Sequence, residues 1–475
     1  MLKIYNTLTK KKEEFRPIED GKATFYHCGP TVYWVQHLGN MRAMVLADLI
    51  RRSLIYLGYE VKFVRNYTDV GHLTSDEDEG EDKMEKGAKR EHKTPGEIAE
   101  KYIKIFEDDI NDLNVIPADM KPRATEHIAE MQEMVKVLLE KNYAYATDLA
   151  IYFDVSKANN YTKLSGQILE KNLGAAGKGE VEDKGKKHPA DFALWFFKAG
   201  VHKNALQTWA SPFSSPLVKN GEGFPGWHIE CSAMSKKYLG DTLDLHMGGI
   251  DHIPVHHTNE IAQSEAANGV KFVNYWLHNE HLNVDNGKMS KSEGTVWSVS
   301  EIKEKGFDPL VLRYFFLGSH YRSKQNFTWE ALESAEISLE KLRERVLDLR
   351  AKEGGEGKEG EEGKRCRNKF IAALGDDFNI PQTLAVMWEV IKDEDLESEE
   401  KLNLIFDFDK VFGLGLENIR KEEIIIPEEV GKIVQEREEA RKNKDWKRAD
   451  ELRNKISELG FNVEDSADGA VVKKK

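Results

Sequence analysis

Apolar and polar residues change their spacing several times along the chain, and each change marks an element. Residues Ala23–Cys28 are an apolar run ending at Gly29 and Pro30, as a buried strand running into a turn would be. From Met41 to Leu57 the apolar residues Met44, Val45, Leu49, Ile50 and Leu54 recur at helical spacing, and Gly58 supplies a stop. Glu60–Asn66 (EVKFVRN) then alternates as a strand. Strand, helix and strand joined so closely predict a parallel pair with a right-handed crossover. That is the first half of a nucleotide-binding α/β sheet.

Further along, Ser75–Lys83 is an acidic loop and Leu173–Lys187 a Gly/Lys-rich excursion. The pattern between them is mainly helical, as in Ala124–Lys141, so an insertion is expected to interrupt the sheet. The α/β pattern resumes near Asp241 and runs to Ser300; after Asp308 the chain turns helical. Lys352–Lys364 (KEGGEGKEGEEGK) reads as a linker, a helical region follows to Leu416, and Pro427–Gly460 is charged and helical. The expected divisions are a sheet domain in two halves, 1–118 and 226–308, around an insertion at 119–225. Beyond it come a helical segment at 309–350, a linker at 351–365, a helical bundle at 366–420 and a small terminal domain at 421–475. No internal repeat is visible.

Composition narrows the class. With 475 residues, 40% of them hydrophobic and 32% charged, the chain is an ordinary globular protein of several domains. No apolar run has the length of a membrane span, and MLKIYNTLTKKKEEF has no apolar signal core, so a cytoplasmic protein is expected. The three cysteines, Cys28, Cys231 and Cys366, are a poor disulfide framework and suit a reducing compartment. A net charge of −14 argues against a non-specific nucleic-acid coat, yet leaves room for a specific RNA partner meeting a local basic face.

Three constellations carry chemistry. His37–Asn40 (HLGN) falls between the first strand and its helix, where free N–H groups and partial positive charge suit phosphate; taken alone, a helix cap with an incidental histidine is the plainer reading. Lys288–Ser292 (KMSKS) has glycines on both sides, Gly287 and Gly294. Its two lysines can close over a triphosphate or simply be solvated. Cys28, Cys231 in GWHIECSAM, and His256 and Glu260 in HHTNEIAQ offer two thiolates, an imidazole and a carboxylate. The i, i+4 spacing of the last two places them on one helix face, and the set matches zinc chemistry; buried cysteines and a polar helix face are the plain alternative.

In order along the chain, HLGN and KMSKS resemble the HIGH and KMSKS signatures of class I aminoacyl-tRNA synthetases. FYHCGPTVY, HLGN, FVRNYTD, GWHIECSAM, HMGGID, HHTNEIAQ, KMSKSEG and HYRSKQNFTWEAL resemble, in family order, the motifs of cysteinyl-tRNA synthetases. The resemblance implies a Rossmann-like class I sheet with a connective insertion, a stem-contact helical region, and an anticodon-binding bundle and terminal domain. It implies a cysteine–tRNA ligase using ATP, L-cysteine and tRNA(Cys), with Mg²⁺ accompanying ATP and one Zn²⁺ per subunit held by Cys28, Cys231, His256 and Glu260. By the same resemblance His37, Gly39, Asn40, Asp251, Lys288 and Lys291 serve ATP and catalysis, and Gly29, Thr68 and Trp227 line the cysteine pocket. Trp446, Asp450 and Arg453 in DWKRADELR, with Asp465, fall at the anticodon-binding end. Members are often monomers, and a monomer that touches no membrane is expected.

The chain departs from the family pattern in two places. Asn40 stands where the signature has histidine. HMGGIDHIPVHH replaces HGGGSDLMFPHH, which adds His252 as a candidate to compete for the metal. Two rivals follow: a cysteine ligase of the mycothiol pathway, which lacks the C-terminal RNA-binding part, and a catalytically silent RNA-binding paralogue.

Overall fold

The computed structural model describes residues 1–71, 83–166, 183–285, 287–288, 296–352, 359–420, 427–466 and 469–474. The acidic stretch 75–82, the excursion over 173–182, the linker core 353–358 and Lys291 lie outside the described residues, as do the side chains of Lys288 and Asp465. Two compact units are present, Met1–Glu417 and Asn418–Lys475.

The first unit opens with an antiparallel hairpin, β1 (Lys3–Asn6) and β2 (Lys11–Glu14). The expected strand, helix and strand follow as β3 (Lys22–His27), α1 (Leu38–Tyr56) and β4 (Glu60–Arg65), with β3 and β4 parallel. Helices α2 (Lys83–Glu91), α3 (Pro95–Asp112) and α4 (Ile128–Glu140) come next. An antiparallel sheet in the order of the chain then forms from β5 (Ala144–Ala146), β6 (Ala150–Phe153), β7 (Phe192–Phe197) and β8 (Gly223–Pro225). A mainly helical insertion was the expectation. Runs such as AIYF and FALWFF are buried throughout, and an unbroken apolar run does not reveal its period.

The main sheet resumes after α5 (Trp227–Leu239) with β9 (Leu243–Gly249), α6 (His256–Asn268) and β10 (Val273–Asn279). Its strand order is β10-β9-β3-β4, all parallel. The chain moves outward from β3 in one direction and from β9 in the other. The crevice beyond the C-terminal ends of these two strands is the switch point where such sheets bind ligands. A small sheet, β12-β11-β13, joins β11 (Leu282–Val284), β12 (Gly287–Lys288) and β13 (Gln325–Phe327), with α7 (Val299–Glu304) and α8 (Pro309–Leu317) between the last two strands.

Helices α9 (Trp329–Ala351), α10 (Glu361–Gly375), α11 (Ile380–Lys392) and α12 (Ser398–Phe412) complete the unit. The linker read from composition is therefore shorter than expected. Residues 361–364 already belong to α10, whose acidic first turn suits a helix N-terminus and where Lys364 pairs with Glu361 at 2.8 Å.

Two buried arginines fix α1, the helix that HLGN opens. Arg42 donates to the carbonyls of Glu280, His320 and Ser323 and to Gln325 Oε1. Arg313 of α8 pairs with Asp48 of α1 at 2.6 Å and donates to the carbonyls of Leu113 and Phe412. Elsewhere α3 meets α7 through Lys303 and Asp112, 2.6 Å apart. Beside them Asp109 is buried, with Oδ2 unbonded. Burial, with Asp112 and Asp108 near it, pushes the Asp109 carboxyl up to about 7 against the pull of Lys303.

The second unit packs α13 (Glu428–Lys442), α14 (Trp446–Glu458) and the hairpin β14 (Phe461–Ser466)–β15 (Gly469–Lys474) around Val430, Ile433, Leu452, Ile456, Phe461, Val463 and Val472. Among the described residues no helix is long and apolar enough to cross a membrane.

Candidate metal centre and active site

Four buried donors from three elements converge at the switch point. Cys28 follows β3, Cys231 lies in α5, and His256 and Glu260 occupy the first turns of α6. Their ligand atoms all lie within 4.8 Å of one another. The sulfurs of Cys28 and Cys231 are 3.8 Å apart. Two sulfurs held tetrahedrally at about 2.3 Å from one zinc would be separated by about that distance. His256 Nε2 is 2.9 Å from Glu260 Oε1, while its Nδ1 lies 3.0 Å from His228 Nδ1, which orients the ring.

The electrostatics point the same way. Burial, with Cys231 and Glu260 beside it, pushes the Cys28 thiol well above its ordinary range; burial and Cys231 do the same to the Glu260 carboxyl. Glu260 Oε2 is buried without a hydrogen bond. Acids crowded in a dry interior stay neutral unless a cation balances them. Two thiols, an imidazole and a carboxylate fit a divalent ion of zinc's softness.

A second set was not read from the sequence. Cys28 and Glu260 also form a four-donor group with His246 and His257. His246 Nε2 and His257 Nε2 each lie 3.3 Å from Cys28 Sγ. A chain from His257 Nδ1 to His278 Nε2 at 2.8 Å, and from His278 Nδ1 to Thr7 Oγ1 at 2.9 Å, holds the His257 ring. Burial lowers both His246 and His257 well below the ordinary imidazole range, so both are neutral. The available signal was the doublet His256–His257 and the strand position of His246, which registers against Tyr26 of β3. His252, expected as a competitor, is in neither set; its ring centroid lies 5.1 Å from that of His256.

The residues expected in the amino-acid pocket surround this centre. The ring of Trp227 lies 4.1 Å from that of His256, centroid to centroid. Thr68 is buried and donates to Glu230 at 2.8 Å. The Gly29 N–H donates to Asn66 Oδ1, and a Cβ on Gly29 would sit 1.6 Å from the Asn66 carbonyl oxygen, so only glycine fits. At the end of β9, Gly249 lies under the mostly exposed Asp251; a Cβ there would come within 2.2 Å of Asp251 Oδ1.

HLGN opens α1 as a cap. His37 is the N-cap residue, and its Nδ1 accepts from the Asn40 N–H at 3.3 Å. Asn40 Nδ2 donates to Gln36 Oε1 at 2.8 Å. No acidic residue occupies the first turn, so the partial positive charge of the helix end is not cancelled locally. The capping reading thus describes the observed bonds, and the same end retains the character of an anion seat. In the second unit, Trp446, Asp450 and Arg453 are exposed along one face of α14, beside the face that buries Ala449, Leu452 and Ile456. The Arg441 guanidinium lies 5.7 Å from the Trp446 ring.

A nucleotide-type parallel sheet with its site at the switch point, together with a match of residues 14–337 to the family of tRNA synthetases class I (C) catalytic domain, defines a class I aminoacyl-tRNA synthetase. Residues 426–472 match the cysteinyl-tRNA ligase anticodon binding domain. The cysteine–tRNA ligase of Treponema denticola is 43% identical, covering 100% of this chain and 99% of its own. Cysteine–tRNA ligase 1 of Burkholderia lata is 42% identical, covering 98% and 96%. The chain belongs to the cysteine–tRNA ligase family and is an aminoacyl-tRNA ligase. Among solved structures, methionyl-tRNA synthetase of Mycobacterium tuberculosis shares the fold at a TM-score of 0.54 and 14% identity, covering 83% of this chain and 90% of its own. The ternary complex of Agrobacterium radiobacter LeuRS with tRNA and LeuAMS does so at 0.58 and 11%, covering 86% of each chain.

Proposed function

We propose that this enzyme activates L-cysteine with ATP to cysteinyl-adenylate and transfers it to the 3′-terminal adenosine of tRNA(Cys), reading its substrate through a zinc ion held by Cys28, Cys231, His256 and Glu260. The observation that carries this is the buried four-donor cluster, two thiols included, at the switch point of the sheet. Zinc there supplies a centre that prefers a thiolate to an alcohol. Around it Trp227, Thr68 and the tight turn at Gly29 shape the amino-acid pocket.

The remaining roles rest on the family motifs and on charge. The N-terminus of α1, with His37, Gly39 and Asn40, seats the phosphates, and Asp251 lies beyond the end of β9 on the nucleotide side. Lys288 and Lys291 balance charge as the cysteine carboxylate attacks the α-phosphate and pyrophosphate, accompanied by Mg²⁺, departs. Class I membership supports attack on the adenylate by the 2′-hydroxyl of the terminal adenosine. Trp446, Asp450, Arg453 and Asp465 contact the anticodon side. The division of the chain stated above, with its linker ending before α10, a monomeric state and a cytoplasmic location belong to the same proposal.

The test is metal analysis beside kinetics. Purified enzyme should carry one zinc per chain, and Cys231→Ser or His256→Ala should lower that content and raise the KM for cysteine at least about 10-fold, the scale on which metal-site partners act. A fully active enzyme without zinc would refute the reading.

A further inference from the structure

Thr68 sits just beyond the end of β4, and the partners of its hydroxyl are defined. Its backbone is held from both sides: the Thr68 N–H donates to the Pro30 carbonyl and the Val32 N–H to the Thr68 carbonyl, both at 3.2 Å. Its Oγ1 donates to Glu230 Oε2 at 2.8 Å and accepts from Asn66 Nδ2 at 3.4 Å. Asn66 in turn receives the Gly29 N–H at 2.9 Å. A hydroxyl has one proton and two lone pairs. With the proton given to Glu230 and one lone pair taken by Asn66, a single acceptor position is left, which only a donor can fill.

Glu230 is fixed as firmly. It precedes Cys231 in α5 and is wholly buried, and the Thr68 hydroxyl bonds one oxygen of its carboxyl while the other has no partner. Keeping a carboxyl in a dry interior is costly, so the position calls for an account beyond packing. Of the three polar groups of cysteine, the thiol belongs at the metal and the carboxylate is an acceptor; only the α-ammonium donates.

We propose that Glu230 is a positioning residue for the amino-acid substrate. By holding the Thr68 proton it turns the free Thr68 lone pair toward the α-ammonium group, so that the pocket selects an α-amino thiol over a thiol alone. The inference rests on the cysteine-binding reading of the site. It adds a recognition element independent of the metal.

The experiment compares L-cysteine with 3-mercaptopropionate, which keeps the thiol and carboxylate and lacks the amino group, in ATP–pyrophosphate exchange by the zinc-loaded enzyme. In Glu230→Met, the KM for cysteine should rise about 10- to 100-fold, the range for losing a hydrogen bond to a charged group. The inhibition constant of 3-mercaptopropionate should change by less than about threefold and zinc content should hold. Thr68→Val should behave alike. Glu230→Gln, whose amide oxygen still accepts from Thr68, should restore most of the affinity. Equal weakening of both compounds, an unchanged KM, loss of zinc or failure of glutamine to restore would each overturn the role of Glu230. If removing the zinc leaves the KM for cysteine unchanged, the thiol-reading centre fails, a result separate from the outcomes at Glu230.

Discussion

Asp109 supplies a prediction whose sign and size follow from its surroundings. It lies on α3 beside the 2.6 Å Lys303–Asp112 pair that ties α3 to α7, the helix entered soon after the KMSKS segment. Burial holds its carboxyl at about 7 in the folded protein, whereas an unfolded chain has it at about 3.9. Between these values the folded state keeps a proton that the unfolded state releases, so stability falls as pH rises from about 4 to 7 and the penalty is complete above 7. The full shift corresponds to about 4 kcal/mol, and relaxation around the charge reduces it to about 2–4 kcal/mol. Asparagine has the shape of the protonated acid and never ionises, so Asp109→Asn should match the wild type near pH 4, exceed it by about a third of the full difference at pH 5, and exceed it most at pH 8. With about 2.1 cal/mol/K of unfolding entropy per residue over the Met1–Glu417 unit, the gain amounts to roughly 2–5 °C in Tm. Paired thermal melts at pH 5, 6, 7 and 8 measure it. A difference between variant and wild type that stays constant across this range would refute the assignment of a buried, protonated Asp109.

Three further outcomes are expected. Lys291→Ala should slow pyrophosphate exchange by on the order of 100-fold through turnover rather than KM; exchange near the wild-type rate would remove Lys291 from the adenylation step. A chain ending at Glu417, the limit of the first compact unit, should retain cysteine-dependent exchange and charge tRNA poorly, as a two-substrate assay would show. Gly29→Ala should destabilise the enzyme by several kcal/mol, because its Cβ would lie 1.6 Å from the Asn66 carbonyl oxygen; soluble, normally melting protein would show that the loop yields.

The point of truncation shows where sequence and structure part. Composition marks the Gly/Glu/Lys stretch as the break, yet helices beyond it are bound into the first unit: Asp377 accepts from the Tyr5 N–H at 2.8 Å and from Tyr321 and Arg322 at 2.7 Å each. Such bonds join residues far apart in the chain and leave no periodic trace. The elements around β3, α1 and β4 were legible because apolar residues of α1 repeat at helical spacing, β3 is a short, bounded apolar run and β4 alternates. The four donors Cys28, Cys231, His256 and Glu260 were legible as residue types and as motifs. His246 and His257 were not, since a histidine in a strand or beside a proposed ligand has no spacing of its own and acquires meaning only when β9 registers against β3. Glu230 was hidden for the same reason, as its partner Thr68 comes from another strand end.

The placement of Cys28 and His37 on one continuous strand, turn and helix bears on how the two halves of the reaction are held in register. On the proposed reading, the sulfur of the substrate and the α-phosphate of ATP are both referred to this single segment, the first through the donor after β3 and the second through the end of α1. Relative motion of the two seats is then limited by the stiffness of one connection rather than by the docking of separate domains. Arg42 and Arg313 anchor α1 at the same time, each desolvated and each spending its donors on fixed carbonyls or on Asp48. An adenylation step with no protein nucleophile depends on such alignment, because correct placement of the reacting atoms can supply about 7–11 kcal/mol of the barrier. On that reading the buried cations behind α1 serve the reaction only by holding this segment in place.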